Sequence, residues 1–374
     1  MTGATRYSIV IDDAGLARLI GQLQKTHGQV FGPQLRDSVV VLDEIESIDD
    51  LPRGVSEEQS PGRYRLSESG DNRYFAHTVG PHSWKKYLHP PRQPLWRSVK
   101  DGETTAIVAQ PLDQASRVFL GVKPCELGAI EIQDRVFTGG QYKDPHYASR
   151  RSHSFIVAAN CSRAAETCFC TSMGSGPRAE SGFDLALTEL GDGRIVVESG
   201  SAAGEATLKA IGGVAANAED IAAAKAVSKA TAQQVTRHLD TGGLPELLKG
   251  NPNAKRWDDV AARCLNCANC TMVCPTCFCI SVEDTSDLEG KETSRSARWD
   301  SCFTSDHSYI HGGAVRPSSK SQYRQWLTHK FATWHDQFDT PGCTGCGRCI
   351  TWCPVGIDVT QEAAAIRSEV KDKV

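Results

Sequence analysis

The chain has 374 residues, long enough for two or three domains rather than one. Hydrophobic residues make up 40% and charged residues 23%, the balance of a soluble globular protein, and no apolar run approaches the roughly 18 residues that span a bilayer. The net charge is −4 with basic residues dispersed, so the basic stripe that displaces counterions from phosphates is missing; nucleic acid and membrane are not expected partners.

Met1 to Val10 carries no basic segment leading into an apolar one, which argues against a secretory signal and for a cytoplasmic protein. The first 200 or so residues then read as mixed α/β. Tyr7 to Ile11 and Ser38 to Leu42 have strand character, with a helix over Gly15 to His27 between them. Ser47 to Pro94 is rich in Pro, Gly and charge and reads as long loops, with Trp84, Tyr87 and Trp96 as buried anchors. Arg117 to Val122 and Phe155 to Ala159 are short apolar runs of strand length. Leu185 to Leu190 and Ile195 to Val197, joined through Gly191-Asp192-Gly193, form the clearest hairpin signal.

From Ala203 to Leu239 the composition is alanine-rich with high helix propensity. The domain scheme is an α/β platform over 1–202, an Ala-rich helical linker over 203–250, and a mainly helical, ferredoxin-like dicluster domain over 251–374. Within the last, Trp257 to Cys264 should be helical. Tyr323, Trp326, Leu327, Lys330, Phe331, Trp334 and Phe338 recur at three- and four-residue spacing, one apolar stripe on an amphipathic helix. As a core face packed beside the clusters, that stripe needs no docked partner. A final helix runs from Asp358 to Val370, with Ile366 inward.

Fifteen cysteines are the unusual feature. A reducing compartment does not keep disulfides, so clustered cysteines there point to metal. Cys264-x2-Cys267-x2-Cys270-x3-Cys274-Pro275 is followed by Cys343-x2-Cys346-x2-Cys349-x3-Cys353-Pro354, the bacterial ferredoxin spacing twice over. Three thiolates two residues apart wrap one cubane, and the fourth reaches the other cluster. One [4Fe–4S] cluster is expected on Cys264, Cys267, Cys270 and Cys353, and a second on Cys343, Cys346, Cys349 and Cys274. Structural zinc prefers separated cysteine pairs, which these runs do not offer. The 68 residues between Cys274 and Cys343 suggest an insertion in a helical dicluster domain.

The other seven cysteines are grouped as well. Asn160 to Met173 (NCSRAAETCFCTSM) echoes Asn269 to Val282 (NCTMVCPTCFCISV), with seven of fourteen positions identical. By this analogy Cys125, Cys161, Cys168 and Cys170 form the inventory of a further metal centre, most simply a third cluster. The competing reading is four small buried hydrophobes. Cys277, Cys279 and Cys302 lack an obvious fourth ligand and read as packing beside the clusters, with His307 and His311 only weak candidates. There is no Gly-x4-Gly-Lys-Ser/Thr loop and no nucleophile–base constellation. Gly174 to Ala179 reads as a turn, because the strand–loop–helix context of a dinucleotide site is missing. Asp258, Asp259, Glu283 and Asp284 read as solvated acids.

With these residues assembled, the chain resembles the β subunit of cytoplasmic sulfhydrogenase-type, NAD(P)-linked [NiFe] hydrogenases almost end to end. The likeness runs through residues 62–91 (GRYRL…HTVGPHSWKKYLHPP), 121–137 (GVKPCELGAIEIQDRVF), 160–190 (NC…TCFCTSMGSGP…GFDLALTEL), 264–279 (CLNCANCTMVCPTCFC) and 299–313 (WDSCF…SYIHGG). The electron-transfer subunit of anaerobic sulfite reductase is similar in the cluster region. The resemblance implies an assembly with hydrogenase large and small subunits and a flavin-binding NAD(P)H subunit, in which this chain relays electrons and has no active site of its own. A sulfite-reducing complex and a free-standing carrier are the alternatives, separated by whether a nickel-containing partner, a sirohaem partner or none accompanies the chain.

Overall fold

The computed structural model describes residues 6–371 apart from residue 103. An eight-stranded mixed sheet forms the platform, in the order Val214–Ala215, Ser8–Ile11, Ile195–Ser199, Leu185–Glu189, Ser154–Ala159, Arg117–Val122, Gln29–Arg36, Val39–Glu44. Four neighbours, Leu185–Glu189, Ser154–Ala159, Arg117–Val122 and Gln29–Arg36, run parallel to one another. Covered on both faces, the inner strands are apolar almost throughout.

One cover is the helix Asp13–His27. Asp12 caps it by accepting the Gly15 N–H at 2.8 Å, and Gly28, at φ +80°, ends it. Leu16, Leu19, Ile20 and Leu23 pack into the core from one face of that helix. Cutting any of these leucines to Ala would cost about 2–5 kcal/mol. Trp84, Leu88 and Tyr147 cover the opposite face against Phe119 and Ile156.

Residues 47–94 hold more order than their composition suggests. They include the hairpin Val55–Ser60 with Arg63–Glu68 and the short helix Lys85–Leu88. Trp84 is a core residue, whereas Tyr87 and Trp96 are half-buried. The alanine-rich stretch forms two helices, Ala202–Ile211 and Ala218–Gln234, parted at Gly212-Gly213. Val214–Ala215 between them adds an edge strand beside Ser8–Ile11, so this stretch packs onto the platform. A free linker would leave its Leu208, Ala224 and Thr231 faces wet; here all three are buried.

The carboxyl-terminal third is helical around its cysteines and also carries strands. Ile280–Ser286 and Glu292–Trp299 form a hairpin whose second strand pairs with Arg92–Asp101, itself paired with Thr104–Ala109. The amino-terminal and carboxyl-terminal parts of the chain thus share a four-stranded sheet. The hairpin's second strand finds the partner for its other edge nearly two hundred residues away, a pairing that no local signal announces. Farther on, the helix Ser319–Thr328 continues through a π turn, His329–Thr333, into Trp334–Phe338. Tyr323, Trp326, Leu327, Phe331 and Trp334 of the stripe are buried, as is Lys330. The last helix is Val359–Lys371, with Ala363 and Ile366 inside.

Candidate metal centres

In the first cysteine run, Cys264 ends the helix Arg256–Arg263, its N–H donating to Val260 O at 2.9 Å. Asn266 and Ala268, at φ +52° and +63°, then curl the chain so that Cys267 and Cys270 turn back toward it. In the second run Gly345 and Gly347, at φ +67° and +78°, make the same curl. A Cβ on Gly347 would stand 2.4 Å from Thr167 O, and one on Gly345 would stand 2.6 Å from Phe169 O. Glycine is therefore required twice over there, by conformation and by contact.

Cys353 joins Cys264, Cys267 and Cys270 around one apolar cavity walled by Tyr323 and Trp326, with Cys349 of the second run also on its lining. Cys274 lies near enough to Cys343, Cys346 and Cys349 that a thiolate on it would raise the pKa of all three. Backbone donors face sulfur: Gly345 N–H reaches Cys343 Sγ and Ile357 N–H reaches Cys353 Sγ, each at 3.3 Å.

Burial is the main force on five of these thiols. It pushes Cys264, Cys270, Cys346 and Cys349 up, and Cys343 to about 12. Cys274 is the exception. The hydrogen bond it shares with Cys277, aided by the Lys330 ammonium and the Thr276 hydroxyl, holds it well below the ordinary thiol range against burial. Packed thiols that resist ionising call for a cationic centre to make them thiolates. Among the described residues no three metal-ligating side chains converge as tightly as a single ion requires. A cubane's ligands sit on its outer corners, farther apart than those around one ion, and all-thiol sets at ferredoxin spacing are its donor chemistry.

The structure brings Cys125, Cys161, Cys168 and Cys170 to one cavity, with Cys346 of the second run on its wall. Cys125 opens the helix Pro124–Thr138 directly after the strand Arg117–Val122, and Cys161 follows the strand Ser154–Ala159. Both stand at carboxyl ends of adjacent parallel strands, where open α/β sheets place their ligands. Burial raises all four thiols, Cys170 to about 12. Phe169 N–H donates to Gly345 O at 2.9 Å, joining this loop to the second run.

Cys277, Cys279 and Cys302 share a further cavity with His307, while His311 is exposed and lies outside it. Asp258 pairs with Lys320, Glu283 with Arg298 and Asp284 with Arg295, as partly or fully exposed ion pairs. Three of the buried cations are not marked by the cysteine spacing. Arg348 is 1% exposed and binds Glu126 Oε1 at 2.6 Å, Gly80 O at 2.8 Å and His82 O at 2.8 Å. Lys330 Nζ donates to Gly342 O at 2.8 Å and lies 3.3 Å from Cys274 Sγ. Lys85 Nζ donates to Cys277 O at 3.2 Å and sits 3.8 Å from the Trp299 ring centroid. A lysine inside an aromatic stripe is the one signal that points to Lys330.

The 4Fe–4S dicluster domain family matches residues 263–357, the segment that holds both runs. Over 340 residues the chain is 31% identical to sulfhydrogenase 2 subunit beta of Pyrococcus furiosus, covering 89% of this chain and 91% of that one. No solved structure matches. Among the described residues no helix is long and apolar enough to cross a membrane. An alignment of that length, taking in the platform as well as the cysteine runs, makes the chain a member of the sulfhydrogenase β-subunit family.

Proposed function

We propose that this chain is the iron–sulfur electron relay of a hydrogenase-type complex, linking a flavin-bearing NAD(P)H subunit to a nickel–iron module. The observation that carries the reading is the crossed pairing of the two runs: Cys353 beside Cys264, Cys267 and Cys270, and Cys274 beside Cys343, Cys346 and Cys349. Those are the two ligand sets. When bound, each [4Fe–4S] cluster supplies a site that takes up and gives back one electron.

The chain's own residues set the conditions. Tyr323, Trp326 and Ile357 keep water from the first site. The Gly345 and Ile357 N–H groups stabilise charge on sulfur. Lys330 places a cation beside the second site. Cys125, Cys161, Cys168 and Cys170 hold a third centre, and Cys346 on their cavity wall makes it the next station from the second cluster. Fifteen unpaired thiols suit a reducing cytoplasm.

Anaerobic purification of the tagged chain from its own cells tests this. Nickel, flavin and the chain should co-elute in fixed ratio, and a monomer free of both would overturn the relay reading. Iron per chain then reports the centres. About eight irons correspond to the two crossed sets and about twelve add the platform site. Cys168→Ser with Cys170→Ser should remove about four irons, and an unchanged count would remove the platform site from the path.

A further inference from the structure

The thiols left over by both ferredoxin runs and the platform site are themselves assembled. Cys277 and Cys279 follow Cys274-Pro275 directly, and Cys302 returns from the far end of the hairpin Ile280–Trp299. All three line one cavity of about 390 Å³ with His307, far more than the roughly 30 Å³ share of one water. Cys277 and Cys279 belong to the second copy of the Thr-Cys-Phe-Cys tetrapeptide. In the first copy the same two positions, Cys168 and Cys170, turn into a thiol-lined cavity. The repeated tetrapeptide thus puts both cysteines on a thiol-lined cavity in two unrelated settings.

His307 lines the same cavity as the three thiols. Its Nδ1 stands 3.5 Å from Asp300 Oδ2, and that carboxylate is 3% exposed. Asp300 is fixed by the Ser281 hydroxyl on Oδ2, and by the Thr304 hydroxyl and the Ser301 N–H, each at 2.7 Å, on Oδ1. A carboxylate on the Nδ1 side commonly accompanies a ligating histidine.

Charge makes the case independently. Lys330 and Lys85 are 3% and 4% exposed. Lys330 Nζ reaches Cys274 Sγ, Cys277 Sγ at 3.7 Å, Thr276 Oγ1 and Gly342 O. Lys85 Nζ reaches Cys277 O and the Trp299 ring. Among the described residues neither is paired with a carboxylate in any hydrogen bond or ion pair, and two buried cations without counter-charge are costly. The second ferredoxin set can answer the Lys330 ammonium through Cys274. Lys85 faces Cys277, on the side of the leftover thiols.

We propose that Cys277, Cys279 and Cys302, with His307 as fourth ligand, hold a further iron–sulfur cluster beside the second ferredoxin-type site. Its assembly releases one proton from each of the three thiols and uses His307 neutral. The two centres meet at Cys274 and Cys277, whose sulfurs share a hydrogen bond and both lie within reach of the Lys330 ammonium, so one electron passes between them over a short step. The inference goes beyond the relay reading and does not depend on the platform site.

The test uses the full chain purified without oxygen. Cys279→Ser combined with Cys302→Ser should lose about four irons and the matching acid-labile sulfide per chain, while the dithionite-reduced EPR signals of the ferredoxin-type pair persist. Unchanged iron would overturn the proposal, and so would zinc at this site in the wild type. Because the double variant could fail to fold, a second measurement stands apart from it. Wild-type chain labelled with ¹⁵N-histidine should show a ¹⁵N coupling on one reduced cluster. His307→Cys should keep the iron and abolish that coupling. If no coupling is found in the wild type, His307 is not a ligand and the four-ligand site falls. Loss of iron in Cys168→Ser/Cys170→Ser reports only on the platform centre, so the two readings fail separately.

Discussion

The two ferredoxin-type runs share their spacing and occupy opposite surroundings. In the first, Leu265 is 63% exposed and Cys267 is exposed as well. In the second, everything from Thr344 to Arg348 is buried, and the segment is pinned to the platform by Thr167, Phe169, Gly80 and Glu126. The first run needs only to curl, so Asn266 and Ala268 suffice at its left-handed positions. The second must curl against another backbone, so only glycine fits. One loop therefore presents its cysteines outward. The other carries its cysteines inward, toward the platform cysteines.

The largest effect should come from cutting the anchor of the inward loop. Arg348→Met leaves Glu126 buried without its partner and should cost about 3–5 kcal/mol, read by chemical denaturation at matched iron content. If stability held, the second run would not depend on the platform. Next, Gly347→Ala combines a left-handed strain with a collision against Thr167 O. About 2–4 kcal/mol is expected, with loss of iron from the second set, seen by EPR and iron analysis. Lys330→Met removes the cation beside Cys274 and disfavours the more negative reduced state. A redox titration should place that cluster lower by on the order of 60 mV, the one-electron equivalent of a tenfold change in equilibrium. A shift in the first cluster instead would contradict the crossed assignment. The smallest effect has the opposite sign: Ala268→Gly relieves a non-glycine at φ +63° and should stabilise the exposed loop by about 1 kcal/mol, read as a higher midpoint of iron loss on heating.

The contrast between the loops is only partly legible in the sequence. Gly345 and Gly347 mark a curl in any sequence reading. That they also clear Phe169 and Thr167 depends on segments that lie far apart in the chain and meet only in the fold. The Thr-Cys-Phe-Cys echo flags both tetrapeptides, but local pattern does not say which thiols from elsewhere join them. Cys302 and His307 reach Cys277 and Cys279 only because the hairpin Ile280–Trp299 folds back on itself. Residues 47–94 read as loop because hairpin Val55–Ser60/Arg63–Glu68 alternates weakly and carries charge on both faces.

By itself the sequence determined the chemistry and the periodic elements. Eight cysteines at ferredoxin spacing, two Cys-Pro stops, the β-branched strands of the platform and the apolar stripe before the second run are all local patterns, and local geometry is what spacing encodes. Tertiary structure alone decided which face of each loop is buried, the strand pairing between residues 92–101 and 292–299, and the burial of Lys85, Lys330 and Arg348. Those outcomes depend on groups far apart in the chain being desolvated together, and no window of sequence contains both partners.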